Sequence, residues 1–458
     1  MGSGAQPIPE EPSGWRRGGG HGVNLTATSV LGHSVVELAE YEKRTVALSG
    51  ADASAIQQAA GNRLSVGVSS KEGHYELTAT QHVGAIVTGN VSVAIRPKVP
   101  LHNLFLLLGV KPPEFDETLF GFDQDADLLS VMAAVFTTAV DRVTARGVHR
   151  GYRPTEERLG SPRGRIDLVR QVRRPALVSP MACRFDEYTA DHFPNRALVA
   201  ALDRLGRVPG LDLGLRIGLN RLAPRFAEVA RVVVDPAAVD RWTPSRVDAH
   251  YEVAMRLAGL ILRNLTLTHR TAATAAASFT VDMNDLFEAF VADRLSKHLR
   301  HLLVVTEPKV PLATTSGQTM RPDLVFRQAD QNLYVGDTKY KMSTGPARLR
   351  DYYQLLAYAT AMNLHEGVLI YAQDPDDPAA GSGSHVHSIA VRNSGKVIHT
   401  YRLPLSGSNT SVESALKNLA DWIDLRPDSS VIESVSRTLD RGWGGSTTSD
   451  VREERMVQ

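Results

Sequence analysis

Between residues 34 and 99 apolar and polar positions alternate in short runs: SVVELAEY, RLSVGVSS, HYELTATQHVGAIVTG and VSVAIRPKV. A two-residue period marks strands with one buried face, and an N-terminal β-rich domain is predicted over residues 31–125. LHNLFLLLGV (101–110) breaks the alternation and predicts a short apolar helix ending near Gly109. From about residue 126 the period lengthens. DLLSVMAAVFTTAVDRVTARG, NRALVAALDRLG and YEVAMRLAGLILRNL repeat apolar residues at spacings of three and four, so a helical middle region is predicted over 126–275.

The rhythm changes again over 276–405. DMNDLFEAFVADRLSKHL predicts an amphipathic helix with Leu286, Phe287, Phe290, Val291 and Leu295 on one stripe. LLVVTE, PDLVFR and NLYVGDTKY follow as strands, RLRDYYQLLAYATAM as a helix and GVLIYA as a buried strand. The order is therefore α-β-β-β-α-β. DPDDPAAGSGS (374–384) predicts a flexible loop, and HVHSIAVR and KVIHTYRLPL predict edge strands. In the tail over 406–458, TSVESALKNLADWI predicts a helix opened by a capping box from Thr410 to Glu413. Disorder is expected over 1–30 and beyond Arg426, where the chain is polar and rich in Gly and Ser. The fold class expected is α+β and multidomain, with a β-rich start, a helical middle and a C-terminal α/β core.

Composition narrows the functional classes. A chain of 458 residues exceeds one ordinary domain, and 43% hydrophobic with 22% charged residues suits a soluble globular protein. No apolar run reaches the length of a membrane span, and the first residues lack the apolar core of a signal peptide. Cys183 is the lone cysteine, which excludes an internal disulfide and suits a reducing cytoplasm. The net charge of +1 neither implies nor excludes nucleic acid. Residues 142–174 nevertheless hold ten Arg against three acids, which reads as a surface contacting phosphate or protein, or as a solvated loop with scattered ion pairs.

The chemistry concentrates in MRPDLVFRQADQNLYVGDTKYKM, residues 320–342. With a hairpin turn centred on Asp330, Asp323 faces Asp337 with Cβ atoms about 5 Å apart, and Lys339 projects from the same face. Adjacent carboxylates repel unless a cation lies between them. Mg2+ binds through one or two carboxylates plus water and substrate phosphate, and a neighbouring Lys can orient the water or stabilise developing charge. The triplet Asp337-Thr338-Lys339 is weak by itself; a chain of this composition holds about one such triplet by chance. Glu307-Pro308-Lys309 is a second, set aside because Pro sits in its strand. Context strengthens the first. Gln354 and Tyr358 share a face of the following helix, and Glu288 on the preceding helix is a further ligand or water-orienting group. The plainer readings are a surface ion-pair cluster, a solvated helix carboxylate for Glu288, and a core-edge hydrogen bond for Gln354 and Tyr358. Asp186, Glu187, Asp191 and His192 are close enough for a second metal, but Asp191 and Asn195 read better as the cap and start of a helix. His385 and His387 read as ordinary edge residues.

The element order and these residues resemble the PD-(D/E)xK nuclease superfamily. Pro322-Asp323 matches its PD, Asp337-Thr338-Lys339 its DxK, Gln354 to Tyr358 the QxxxY of the RecB-like branch, and Glu288 the acid of the first core helix. VVELAEY (35–41), VGAI (83–86), IRPKVPLHNLFLLL (95–108), RGRID (163–167) and CRFDEYTADHFPNRAL (183–198) are similar to successive landmarks of the McrC family. That resemblance implies an Mg2+-dependent endonuclease subunit of a modification-dependent restriction system. Asp323, Asp337 and Glu288 would hold metal, Lys339 would activate water, and Gln354 and Tyr358 would shape the site. It further implies an McrB-like AAA+ GTPase hexamer as partner, stimulated by the N-terminal part of this chain, and duplex DNA with modified bases as substrate. The absence of a GxxxxGK[ST] loop agrees with GTP being bound by the partner. Cutting both strands implies two nuclease copies meeting on DNA. Alternatives are a RecB-like repair nuclease without a modification reader, and a non-catalytic activator of an AAA+ motor.

Overall fold

The computed structural model describes residues 34–110, 128–173, 179–268, 276–312, 317–340, 349–373 and 386–425. The predicted leader, the 374–384 loop, His385 and the chain beyond Arg426 lie outside them.

The alternating segment folds as β1 (Ser34–Ala39), β2 (Lys43–Ala47), α1 (Gly50–Ala60), β3 (Leu64–Val68), β4 (His74–Ala79), β5 (His82–Val87) and β6 (Val91–Arg96). Strands β2, β4 and β3 form a small antiparallel sheet. Between them and β1, β5 and β6, helix α1 buries Ile56 against Leu38, Leu64, Leu77 and Val93. Ser49 opens α1 by accepting the Asp52 N–H. Helix α2 (Leu101–Leu107) ends as the sequence predicts, with Gly109 at a φ of 75°, where a side chain would be strained.

The middle region is built on α3 (Leu128–Thr144), but it is not helical throughout as expected. Strands β7 (Gly151–Leu159), β8 (Arg165–Ile166) and β9 (Met181–Thr189) form a three-stranded sheet, with the short α4 (Leu168–Val172) between the last two. Its strands carry charged residues on both faces, so they lack the apolar alternation that marks a strand. Helices α5 (Phe193–Leu205), α6 (Leu213–Leu222), α7 (Pro236–Asp240) and α8 (Glu252–Asn264) complete the region. Asn195 lies in the first turn of α5, as expected, but Asp191 does not cap it. His192 stands at the N-cap without a side-chain capping bond, Asp191 pairs with Arg153 and Arg196, and Asn195 is buried, donating to the carbonyls of His149 and Ala190.

Strands β10 (Leu265–Thr268) and β11 (Ala276–Asp282) return to the first sheet, whose order is β1-β6-β5-β11-β10. That sheet therefore crosses the boundary read at residue 275. The chain passes directly from β11 into α9 (Met283–His298), capped by Asp282.

After α9 come β12 (Leu303–Thr306), β13 (Val310–Pro311), β14 (Thr319–Met320), β15 (Leu324–Gln328) and β16 (Gln331–Lys339). Then follow α10 (Leu349–Ala361), β17 (Glu366–Gln373), β18 (Val386–Val391), β19 (Lys396–Pro404) and α11 (Asn409–Asp424). Strands β12-β15-β16-β17-β19-β18 form one mixed sheet, parallel only at β16–β17 and β17–β19. Helices α9 and α11 cover one face through Phe287, Phe326, Val368 and Leu416. Helix α10 covers the other through Val325, Val335, Leu355 and Leu369. The capping box at α11 is corrected: Ser408, not Thr410, is the N-cap and accepts the Ser411 N–H. No helix among the described residues is long and apolar enough to cross a membrane.

Candidate active site

The hairpin of β15 and β16 sets the site. Leu324, Val325 and Phe326 pair with Gly336, Val335 and Tyr334; the register then shifts, and Arg327 and Gln328 pair with Asn332 and Gln331. The turn is thus Ala329-Asp330, with Ala329 at a φ of 51°, rather than a turn centred on Asp330. A bulge at Leu333 restores the expected register toward the open end, where Asp323 lies level with Asp337. There the Thr338 backbone N–H and Oγ1 donate to Asp323 Oδ2 at 2.7 and 2.9 Å.

Alternation along β16 turns Tyr334 toward α9 and Val335 toward α10. Asp337 and Lys339 follow Val335 on the α10 face. Asp337 has no exposed surface. Its Oδ2 lies 2.5 Å from Lys339 Nζ, and Gln354 Nε2 approaches its Oδ1 at 3.5 Å. Gln354 Nε2 also donates to Tyr358 Oη at 2.7 Å, and that hydroxyl donates to the Arg321 carbonyl at 3.1 Å. The i, i+4 pair on α10 therefore ties helix to hairpin beside the acid. Five of the six residues singled out from the sequence form one bonded chain or its direct neighbours.

Glu288 joins them through charge rather than contact. Burial first, then the negative charge of Asp323, with smaller contributions from Glu307, Asp285 and Asp337, push its carboxyl up to about 7. Asp337 is likewise pushed up to about 7 by burial and by Asp323, against the pull of Lys339. Burial opposes the Lys339 charge, yet attraction to Asp337 raises its pKa, so it remains an ammonium.

Other participants were not legible in sequence. Asp351, buried on α10, accepts the Tyr371 hydroxyl at 2.7 Å, and Tyr371 is the β17 partner of Lys339. Its charge adds to the field on both Asp337 and Lys339. Glu307, from the triplet set aside, donates its backbone N–H to the Asp323 carbonyl. The alternative acid group near β9 is occupied by cations: Arg153 pairs with Glu187 and Asp191, and hydrogen bonding from Arg196 holds Asp191 well below the usual carboxylate range. In the Arg-rich stretch, Arg150 pairs with Glu228 and Arg170 with Glu156. His387 lies exposed on the edge strand β18.

Among the described residues no three His, Cys, Asp or Glu side chains form a ready metal-ligand group. Glu288 thus does not close a three-carboxylate set with Asp323 and Asp337. The two facing aspartates still fit a hard cation. Their donors are all oxygen, and their mutual repulsion is what a cation between them would relieve.

Fold and cluster together define a mixed α+β protein with a carboxylate–lysine centre at the open end of a hairpin in a mixed sheet. A family model described as McrBC 5-methylcytosine restriction system component matches residues 77–372. The chain belongs to that family. The match contains every residue of the cluster but not VVELAEY. A chain in the refined half-complex of Thermococcus gammatolerans McrB AAA+ hexamers with bound McrC matches at 18% identity and a TM-score of 0.55, covering 85% of this chain and 100% of its own. A chain of the Thermococcus gammatolerans McrBC complex matches at 20% identity and a TM-score of 0.39, covering 58% of this chain and 88% of its own. No curated protein matches.

Proposed function

We propose that this chain is the Mg2+-dependent endodeoxyribonuclease subunit of an McrBC-type restriction system, acting in the cytoplasm on DNA that contains methylcytosine. The observation carrying this reading is the buried Asp337–Lys339 pair, level with Asp323 and braced by Gln354, inside the family match. We read the C-terminal mixed sheet as a PD-(D/E)xK nuclease core.

Asp323 and Asp337 would hold Mg2+, with Glu288 reaching it through a water or on DNA binding. When bound, the ion lowers the pKa of a water and neutralises charge on the scissile phosphate. Thr338 fixes one oxygen of Asp323 and leaves the other available. Lys339, kept charged by Asp337, positions the attacking water and stabilises charge developing on the phosphate; as an ammonium it is a proton donor, not a base. Tyr358 locks the Gln354 amide, which in turn limits how Asp337 can rotate.

The partner in this reading is an McrB-like AAA+ GTPase hexamer, whose GTP hydrolysis the N-terminal part of the chain stimulates. Support comes from the sequence, which contains no phosphate-binding loop of its own, and from the related assembly, whose description names McrB AAA+ hexamers with bound McrC. Two copies would meet on DNA to cut both strands.

The test is cleavage of methylated and unmodified duplexes with partner, GTP and Mg2+. Cleavage of methylated DNA alone is expected. Asp337→Ala and Lys339→Ala should each lower it by at least about a hundredfold while leaving GTPase stimulation intact. Cleavage retained by both variants overturns the site, and partner-independent cleavage of unmodified DNA favours a RecB-like repair nuclease.

A further inference from the structure

Three stretches distant in sequence, VVELAEY, IRPKVPL and DTKY, meet at one buried carboxylate. Glu40 follows the last residue of β1 and is 2% exposed. Its Oε1 accepts the Tyr340 hydroxyl at 3.0 Å and the Lys98 backbone N–H at 2.9 Å, while its Oε2 is buried with no partner. Tyr340, also 2% exposed, directly follows Lys339, and its ring packs 6.0 Å from that of Phe287 on α9.

Holding two sheets together does not by itself require this arrangement. A buried carboxylate with one unpaired oxygen is costly, and apolar residues would join the sheets more cheaply. Its position suggests what it does instead. Side chains alternate across a strand, so Tyr340 projects to the α9 face while Lys339 projects to the α10 face. Fixing the Tyr340 hydroxyl fixes the backbone from which Lys339 reaches Asp337.

We propose that Glu40 and Tyr340 form a positioning clasp through which the N-terminal sheet sets the geometry of Lys339 at the cleavage site. The proposal rests on the nuclease reading above and deepens it: the sheet containing β1 takes part in the competence of the site. Both are positioning residues. Neither touches DNA or metal in this scheme.

The full chain with its partner, GTP and Mg2+ provides the test, using Tyr340→Phe, Glu40→Ala and Glu40→Gln. Tyr340→Phe keeps the ring and removes only the hydroxyl; Glu40→Gln keeps an acceptor at Oε1. Single-turnover cleavage at saturating DNA should fall about tenfold or more in Tyr340→Phe and Glu40→Ala, with DNA affinity unchanged, and recover to within about threefold in Glu40→Gln. Hydrogen exchange over residues 335–340 should quicken in Tyr340→Phe. Unchanged cleavage in Tyr340→Phe beside an active wild type and an inactive Asp337→Ala overturns the clasp but not the nuclease. A wild type that does not cleave overturns the nuclease, and unchanged exchange over 335–340 then overturns the clasp separately.

Discussion

Asp337 is an acid with no exposed surface, one residue removed from its Lys partner and level with a second acid. Its pKa of about 7 against an ordinary 3.8 has a thermodynamic consequence. Between those values the folded protein holds a proton that the unfolded chain has released. Stability therefore falls as pH rises through that interval, and the full penalty persists above it. Asp337→Asn mimics the protonated acid. In metal-free protein it should melt higher than wild type at pH 8, by on the order of 1–3 kcal/mol, with the gap closing by pH 5. Equal melting of the two at pH 8 would show that the charge is not strained. At this scale the sequence exposed Asp323, Asp337 and Lys339 because charges stand out in apolar strands. It could not expose Glu40, whose partner Tyr340 lies 300 residues away, nor Asp351, which resembles any polar residue in the first turn of a helix.

Among elements, legibility followed periodicity. Helices α9 and α10 and the β15–β16 hairpin were readable because their apolar residues repeat at 3.6 or 2. Strand β11 was not: AASFTVD is buried along almost its whole length, so it shows no alternation, and its alanines suit a helix equally well. Its pairing with β5 requires Gly84, whose φ of 141° few side chains tolerate. A Cβ there would lie 2.0 Å from the Phe279 carbonyl oxygen. Backbone atoms of a central strand pair cannot yield as a flexible side chain would. Gly84→Ala should therefore cost about 3 kcal/mol or more, read as a lower urea midpoint, while leaving the far hairpin's chemistry untouched in whatever fraction stays folded. An unchanged midpoint would mean that β5 and β11 are not paired as described. The turn of the hairpin teaches the same lesson in reverse. The expected register near Asp323 was right although the turn was misplaced, because the bulge at Leu333 offset the error.

The whole molecule is less divisible than its sequence suggests. Changes of rhythm near residues 126 and 276 invite a reading of separable modules, yet one apolar cluster runs from Leu104 on α2 through Phe136, Leu198 and Leu257 to Phe287 and Leu416. Asn103, fully buried on α2, donates to the carbonyls of Leu405 and Gly407 beside α11. Strand β11 leads into α9 without a linker while pairing in the other sheet. Hydrophobic patterning shows which residues are buried but not against which segment, so contacts of this separation were not readable. Their energetic meaning is that the C-terminal sheet relies on the N-terminal half to cover α9 and α11. A fragment of residues 276–458 would expose the faces of both helices and leave β11 unpaired, conditions that favour aggregation over folding. The full chain should show cooperative melting and the fragment none, by calorimetry or far-UV circular dichroism. A fragment that melts cooperatively would make the C-terminal segment an autonomous domain, with the contacts from the N-terminal half added to a fold that does not need them. The absence of such a transition, beside cooperative melting of the full chain, would mean that the two halves form one folding unit.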